Sequence, residues 1–188
     1  MPHSLPDLRI RRAPVFLAWV SCLVLLAGCD TGIPDGVDPV TGLDAERYLG
    51  TWYSIARLDH SFERGLTQVT AEYTMRDDGT IRVVNRGYDP EEGEWEEAVG
   101  RARFMEGDTV GRLRVSFFRP FWGGYNIIAL DREGYEYAMV SGPDRSYLWI
   151  LARHPDLDPV IADSLVQKAR ELEFPVDELT WIEHGPIP

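Results

Sequence analysis

Sulfur is nearly absent from this chain, and the little there is lies close to the N-terminus. The 188 residues include two cysteines, Cys22 and Cys29, and none follows them. A domain that folds beyond residue 29 can therefore form no internal disulfide. Its stability has to come from apolar burial and hydrogen bonding alone.

Patterns typical of catalysis and metal binding are also lacking. No Gly-x-Ser-x-Gly elbow occurs, and a serine nucleophile needs a base within reach. Beyond the N-terminal region the histidines are His60, His154 and His184, and no histidine and carboxylate have the spacing of a zinc site. His60 is flanked by Asp59 and Ser61, but adjacency along the chain does not make a triad. We expect no catalytic residue, no metal and no cofactor.

Positive charge is scarce. The chain has 19 Lys and Arg against 31 Asp and Glu, which gives a formal net charge of −12. The overall field of such a chain repels nucleic acid and anionic membrane surfaces. We therefore expect no nucleic-acid partner, and the overall charge would not hold the chain at a membrane surface.

The apolar run over residues 14–28 is too short to cross a membrane as a helix. It has 15 residues, whereas a spanning helix needs about 20. It follows three arginines, Arg9, Arg11 and Arg12. A positive region followed by a short apolar run is typical of a secretion signal, which we assign to residues 1–28.

The leader ends in Leu-Ala-Gly-Cys at residues 26–29, which resembles the lipobox of bacterial lipoproteins. The resemblance implies cleavage before Cys29, a diacylglycerol on its sulfur and an acyl chain such as palmitate on its amine. Two or more acyl chains hold a protein stably at a membrane. The Gly-, Pro- and Asp-rich residues 29–42 would then carry the lipid and act as a tether, and residues 43–188 would form one domain of ordinary size.

From Trp52 onward, short runs rich in β-branched and aromatic residues alternate with turn sequences such as Asp78-Gly79. They predict eight strands, over residues 51–59, 68–76, 80–87, 94–105, 111–118, 125–130, 135–141 and 147–153. No helix lies between any two of them, and parallel pairing would need crossovers of about a dozen residues. The sheet should therefore be antiparallel, with each strand paired to the next.

One long helix is predicted after the strands, over residues 158–173. Asp158 can cap its first turn, and Pro159 suits its first helical position. The strands over 125–153 are apolar on both faces, so we expect the helix to cover their outer side. An apolar stripe on the helix supports this packing and consists of Ile161, Leu165, Ala169 and Leu172.

Eight antiparallel strands leave two exposed edges unless the sheet closes on itself. Closure gives a barrel whose interior holds side chains or one small ligand. The prediction is an all-β fold: an eight-stranded antiparallel up-and-down barrel with one C-terminal α-helix packed outside. A short helical turn is expected over 43–50 and a last short strand over 178–184.

Two patterns in this arrangement resemble the lipocalins. Gly50-Thr51-Trp52 opens the first strand and is similar to the Gly-x-Trp signature of that family. Arg153 ends the eighth strand, where lipocalins carry an arginine that lies across the tryptophan, a contact of about 0.5–2 kcal/mol. The resemblance covers about residues 43–184 and is to the bacterial lipocalins, lipid-anchored relatives of apolipoprotein D. It implies that Gly50, Trp52 and Arg153 seal the closed end of the barrel and do not touch ligand.

The resemblance also implies a function. Its members bind a fatty acid, a lysophospholipid or a similar lipid, and store or transport membrane lipids in the bacterial envelope. The expected partners are such a lipid and the membrane reached through the N-terminal lipid, and a homodimer is left open. Outer-membrane placement is usual for the family, whereas Asp30 after the lipidated cysteine favours the inner membrane in enteric bacteria. Two alternatives remain: a ligand-free structural or partner-binding barrel, and a lipid-modifying lipocalin enzyme.

Strand alternation gives the candidate ligand-binding residues, each of which would otherwise be an ordinary core position. An acyl chain buried among them gains about 0.8 kcal/mol per methylene. They are Ser54, Ala56, Val69, Ala71, Ile81, Val83, Val115, Phe117, Met139 and Trp149. A lipid head near the mouth is expected to meet Tyr53, Asn85, Tyr125 and Tyr147. No arginine is assigned to the cavity, because alternation puts most of them on the outer face.

A loop rich in aromatic residues contains Phe118, Phe121 and Trp122. Exposed aromatic side chains here would suit a rim that touches the membrane or a dimer contact. Packing against the neighbouring loop is the third interpretation, and the sequence does not choose among them.

Overall fold

The computed structural model describes residues 31–185. The predicted signal peptide, Cys29 and Asp30 lie outside the described residues. Within 31–185, no helix is both long enough and apolar enough to cross a membrane.

All eight predicted strands are present, and their ends agree with the predictions to within a few residues. The strands are β1 (Gly50–Leu58), β2 (Thr67–Met75), β3 (Ile81–Asp89), β4 (Glu94–Phe104), β5 (Arg112–Ser116), β6 (Gly123–Leu130), β7 (Tyr137–Ser141), β8 (Leu148–Ala152) and a short β9 (Leu179–Trp181). The helices are α1 (Ala45–Tyr48) and α2 (Pro159–Glu171), and a 3₁₀ turn covers Val176–Glu178.

The sheet closes into a barrel, which confirms the predicted fold. Each strand from β1 to β8 pairs antiparallel with the next, and β1 also pairs with β8. The pairing of β1 with β2 covers only residues 50–53 of β1, and β9 pairs with its far half, over Ala56–Leu58. The chain after β9 reaches across to β2, where the amide of Gln68 donates to the carbonyl of Glu183 at 2.9 Å.

Strand direction assigns the loops to the two ends of the barrel. Strand β1 starts at the end that α1 and Trp52 close, so the odd-numbered connections β1–β2, β3–β4, β5–β6 and β7–β8 all lie at the opposite end. We call this the open end. Loop residues around it, Phe62, Phe118 and Pro143 among them, border the mouth of a cavity.

Helix α2 covers the strands that are apolar on both faces, as predicted. The Asp158 carboxylate caps it by accepting from the amide of Val160 at 2.8 Å. Leu165 and Ala169 are buried against the outer side of β1 and β6–β8, in a group we call the outer cluster. A separate group inside the barrel, the inner cluster, includes Trp52.

Strand β1 contains a bulge. Ser54 lies opposite Leu151 of β8, but the next pair is Ala56 with Ile150, so β1 has one extra residue at Ile55. An extra residue in one strand reverses the alternation of every side chain beyond it. Before the bulge, the even-numbered side chains of β1 face the barrel interior, and beyond the bulge the odd-numbered side chains do.

The closed end is sealed by the predicted pair of Arg153 and Trp52. The guanidinium lies 3.8 Å from the centre of the fully buried indole. The same guanidinium donates to the carbonyls of Thr51 at 2.9 Å and Arg47 at 2.6 Å. Gly50 has a φ of +91°, a backbone conformation that residues with a Cβ rarely adopt, which accounts for the glycine of the motif.

Part of the predicted tether lies against the barrel. The amide of Val40 donates to the carbonyl of Ile127 at 2.8 Å, and the carbonyl of Val40 accepts from Gly111 at 2.7 Å. Val37 is buried in the outer cluster. The described part of this segment therefore follows the barrel wall.

We expect Trp52→Ala to lower the free energy of unfolding by about 3–5 kcal/mol, since it removes a fully buried indole and leaves a cavity. Trp95→Ala is the control, because Trp95 is 54% exposed on β4. Urea unfolding followed by circular dichroism measures both. A loss below 1 kcal/mol for Trp52→Ala would contradict the burial described here.

Candidate functional site

The barrel encloses a cavity that is open at one end. It has a narrow inner part of about 100 Å³ and a wider part of about 630 Å³ at the mouth. The two parts share several wall residues, including Val69, Val115, Phe117 and Trp149. The interior is therefore not filled by side chains, and its size is that of a small-molecule site.

Eight of the ten predicted ligand-binding residues line this cavity. Their positions follow strand alternation, which puts every second side chain on the inner face. They are Ser54, Val69, Ala71, Ile81, Val83, Val115, Phe117 and Trp149. Lining residues that sequence reasoning missed include Tyr73 and Leu113, although the same alternation would have given both.

The assignment of Ala56 to the cavity is wrong. Directly opposed residues on paired strands share a face of the sheet. Ala56 lies opposite Ile150, and both belong to the outer cluster. The bulge at Ile55 is the reason, because it turns Ala56 outward where simple alternation from Trp52 turns it inward.

The assignment of Met139 is also wrong. Met139 lies opposite Ile150 and packs in the outer cluster, whereas its neighbour Val140 lies opposite Trp149 and faces inward. Both faces of β7 are apolar, so the sequence of this strand contains no signal for its orientation. Strand β8 is also apolar on both faces, and its inner residues are Trp149 and Leu151.

Three tyrosine hydroxyls form the base of the cavity. The Tyr125 hydroxyl lies 2.7 Å from that of Tyr48 and 3.0 Å from that of Tyr73. Burial raises the pKa of all three above the ordinary value, so they are neutral. Tyr125 is predicted near the mouth and lies instead at the base, where its hydroxyl is within hydrogen-bond distance of the other two.

A buried polar cluster lies where the β1–β2 loop meets the cavity. Arg57 lies opposite Trp149 on β8, so the bulge that turns Ala56 outward turns this arginine inward. Its Nε is 3.5 Å from the Glu63 carboxylate, which also accepts from the Trp149 indole at 3.2 Å. His60 Nε2 is 3.5 Å from the same carboxylate. We call Arg57, His60, Glu63 and Trp149 the mouth cluster.

Burial shifts the acid–base behaviour of the mouth cluster. Desolvation, together with the nearby Arg57 charge, lowers the pKa of His60 to about 4. Desolvation raises the pKa of Glu63, opposed by the hydrogen bond from Trp149 and by Arg57. At neutral pH, His60 is therefore uncharged.

Of the other residues predicted to meet a lipid head, two line the cavity and one lies on the outer side of the barrel. Asn85 lines both parts of the cavity, and its buried Oδ1 accepts no hydrogen bond within the described chain. Tyr147 lines the mouth. Tyr53 does not, because it packs on the outer cluster and its ring contacts His184.

Aromatic side chains surround the mouth. Phe118 is 79% exposed and Phe121 is 56% exposed, and both border the wide part of the cavity. Trp122 is half-buried, with the Arg114 guanidinium 4.7 Å from its ring centre. The loop thus both packs inward and presents apolar surface outward.

The histidines do not gather into one site. His60 follows β1 at the open end and His154 follows β8 at the closed end, while His184 Nε2 lies 2.8 Å from the carbonyl of Ser54. Within residues 31–185, no group of three or more His, Cys, Asp or Glu side chains is placed to hold a metal ion.

Comparisons with known proteins agree with this geometry. A family model described as a lipocalin-like domain matches residues 43–184. The outer membrane lipoprotein Blc of Vibrio cholerae serotype O1 is 52% identical over 164 residues, covering 87% of this chain and 95% of that protein. Its namesake in Escherichia coli strain K12 is 47% identical over 174 residues, covering 93% and 98%. The solved structure of the cockroach allergen Per a 4 superposes with a TM-score of 0.64 at 21% identity, covering 83% and 97%, and supports the fold alone.

We predict that His60 makes the protein less stable at mildly acidic pH. Between pH 6.5 and about 4 the unfolded chain protonates this residue and the folded chain does not, so stability falls as pH falls. Between pH 7.5 and 4.5, the free energy of unfolding of His60→Gln should fall by about 2 kcal/mol less than that of the parent protein, as measured by urea unfolding. The raised pKa of Glu63 acts in the opposite direction in both proteins.

His154→Gln is the control for this measurement, since the His154 side chain is exposed. It should follow the parent protein at both pH values. Parallel losses in the parent and His60→Gln would show that His60 titrates normally in the folded state.

Proposed function

The chain belongs to the lipocalin-like domain family, and from that premise we propose that its barrel binds a single-chain lipid, a fatty acid or a lysophospholipid, and stores or carries it in the envelope. The protein is an outer membrane lipoprotein, as its 47–52% identity to the Vibrio and Escherichia proteins indicates. These relatives favour the outer membrane over the inner-membrane alternative that Asp30 raises.

The single observation that carries this proposal is the open apolar cavity inside a closed barrel. A space of about 630 Å³ at the mouth continues into a narrower part lined by aliphatic and aromatic side chains. Burying an acyl chain there gains about 0.8 kcal/mol per methylene. A barrel with a purely structural role would be expected to fill this volume with side chains.

The distribution of polar groups supports one orientation of the lipid. Each tyrosine hydroxyl at the base has another hydroxyl within hydrogen-bond distance, so an apolar tail end can approach polar groups that already have a partner. The charged residues that line the cavity all border its wide mouth part: Glu63, Arg86, Glu96 and Glu97. Arg57 pairs with Glu63 there. We therefore place the tail at the base and the polar head at the mouth, near the mouth cluster and Asn85.

Binding without catalysis is the second part of the proposal. The match of residues 43–184 to a lipocalin-like domain supports this part. His60, a histidine at the cavity mouth, is buried, uncharged at neutral pH and stacked on Phe62 with ring centres 3.9 Å apart. We assign the mouth cluster to positioning the β1–β2 loop.

Val115→Trp should block the cavity, because Val115 lines both of its parts. Excluding about two methylenes of an acyl chain costs roughly 1.6 kcal/mol, or about a 15-fold weaker affinity. Val99→Trp is the matched control, since Val99 is 47% exposed on the outer wall. Displacement of a fluorescent fatty acid, with native mass spectrometry to identify co-purified lipid, measures the effect.

Equal displacement by the two variants would place the ligand outside the barrel. No bound lipid and no displacement in the parent protein would favour the structural barrel. Turnover of an ester or retinoid substrate, abolished by His60→Gln, would favour the enzyme.

Cys29→Ser tests the proposed lipid anchor. The substitution removes the sulfur that receives the diacylglycerol, so the protein should move from the membrane fraction to the soluble envelope fraction. Ser61→Ala, a change in an exposed loop residue, is the control. Unchanged membrane association of Cys29→Ser would overturn the anchor.

A further inference from the structure

The described chain begins at the open end of the barrel. The carbonyl of Gly32 accepts from Asn126 Nδ2 at 3.0 Å. A Cβ on Gly124 would lie 2.6 Å from the same carbonyl and 3.4 Å from the Cα of Pro143. Gly124 and Pro143 both border the cavity mouth. The N-terminal segment therefore crosses the rim of the mouth, and the glycine is what lets it pass this closely.

The predicted anchor is very close to this point along the chain. Asp30 alone separates Thr31 from Cys29. An extended chain advances at most about 3.6 Å per residue, so the Cα of Cys29 lies within roughly 7 Å of that of Thr31. A lipid on Cys29 cannot reach the closed end of the barrel, and it holds the open end near the bilayer.

The surface next to this point is apolar. Phe118 and Phe121 are the most exposed phenylalanines of the β5–β6 loop, which leads into β6 and Gly124. Arg119, between them in sequence, is also exposed. Apolar side chains flanked by a basic residue suit the boundary between headgroups and acyl chains, where a long cationic side chain extends back to the phosphates.

The loops at the open end differ in charge, and this difference indicates which of them can contact a membrane. The β3–β4 hairpin also lies at this end and carries Asp89, Glu91, Glu92 and Glu94, so it is repelled by an anionic surface. The β5–β6 loop has no acidic residue over 117–122. The two loops together favour contact with a zwitterionic bilayer through the β5–β6 side of the mouth.

We infer that the open end of the barrel faces the membrane in which Cys29 is anchored, with Phe118 and Phe121 inserted among the headgroups. This inference rests on the lipid anchor proposed above. In this orientation the mouth of the cavity opens onto the lipid surface, so a single-chain lipid passes between bilayer and barrel without crossing water.

Site-specific labelling can test the orientation, because the barrel has no cysteine of its own. Cys22 leaves with the predicted leader, and a lipidated Cys29 has no free thiol, so an added cysteine is the single reactive one. The variants are Phe121→Cys and Phe118→Cys at the rim, Met75→Cys at the closed end and Val160→Cys on α2, all at exposed positions. Each full-length lipidated protein is labelled with an environment-sensitive fluorophore and reconstituted in phosphatidylcholine and phosphatidylethanolamine vesicles.

Quenching by a nitroxide at carbon 5 of the lipid acyl chains reports contact with the membrane. We expect quenching at residues 121 and 118 to be at least threefold that at residues 75 and 160. Equal quenching at all four positions, or stronger quenching at 75 or 160, would overturn the orientation. A blue shift at 121 that follows protein concentration rather than added lipid would assign the rim to self-association and would also overturn it.

Two further measurements separate this inference from the proposed function. Mass spectrometry of the N-terminal peptide shows whether Cys29 is acylated, and fatty-acid displacement by the Met75→Cys protein shows whether the barrel binds lipid. An acylated, lipid-binding protein without rim quenching overturns the orientation alone. Rim quenching without displacement supports the orientation and overturns the proposed ligand.

Discussion

Strand β1 is the constraint on which the rest of the structure depends. It pairs with β8 on one side, with β2 and then β9 on the other, and it contains the bulge at Ile55. Before the bulge its inward residue Trp52 fills the closed end under Arg153. Beyond the bulge the alternation is reversed, so the strand turns Ala56 to the helix side and Arg57 to the interior. One inserted residue thus separates a sealed base from a polar mouth.

The features that alternation and turn signals encode could be predicted from the sequence. The eight strands, their antiparallel order and the Asp158-capped helix are of this kind, because each has a local pattern. The pair of Trp52 and Arg153 is predicted from the resemblance to the lipocalins instead. The exceptions have specific physical causes. A bulge leaves no mark in the periodicity, so Ala56 was placed inside and Arg57 was not. Met139 lies on a strand whose two faces are both apolar. Either face could be buried inside the barrel, so the sequence of the strand does not show which one is.

The mouth cluster shows a second limit of reasoning from sequence. Arg57 and Glu63 lie on different elements, a strand and the loop after it, and meet only because the strand bulges and the loop folds back. A buried ion pair of this kind gives little net stability, since desolvation offsets most of the attraction. Removing either partner leaves the other charge buried, so the pair fixes the loop geometry more than it adds free energy.

The way the barrel closes has a consequence for its biogenesis. The strand β1 is synthesised early, whereas two of the strands that pair with it, β8 and β9, are synthesised late. The hydrogen bond from Gln68 of β2 to the carbonyl of Glu183 also depends on a late segment. Pairings between segments so distant in the chain form slowly. The ring therefore stays open until β8 has been synthesised, and the exposed apolar strands need protection until then.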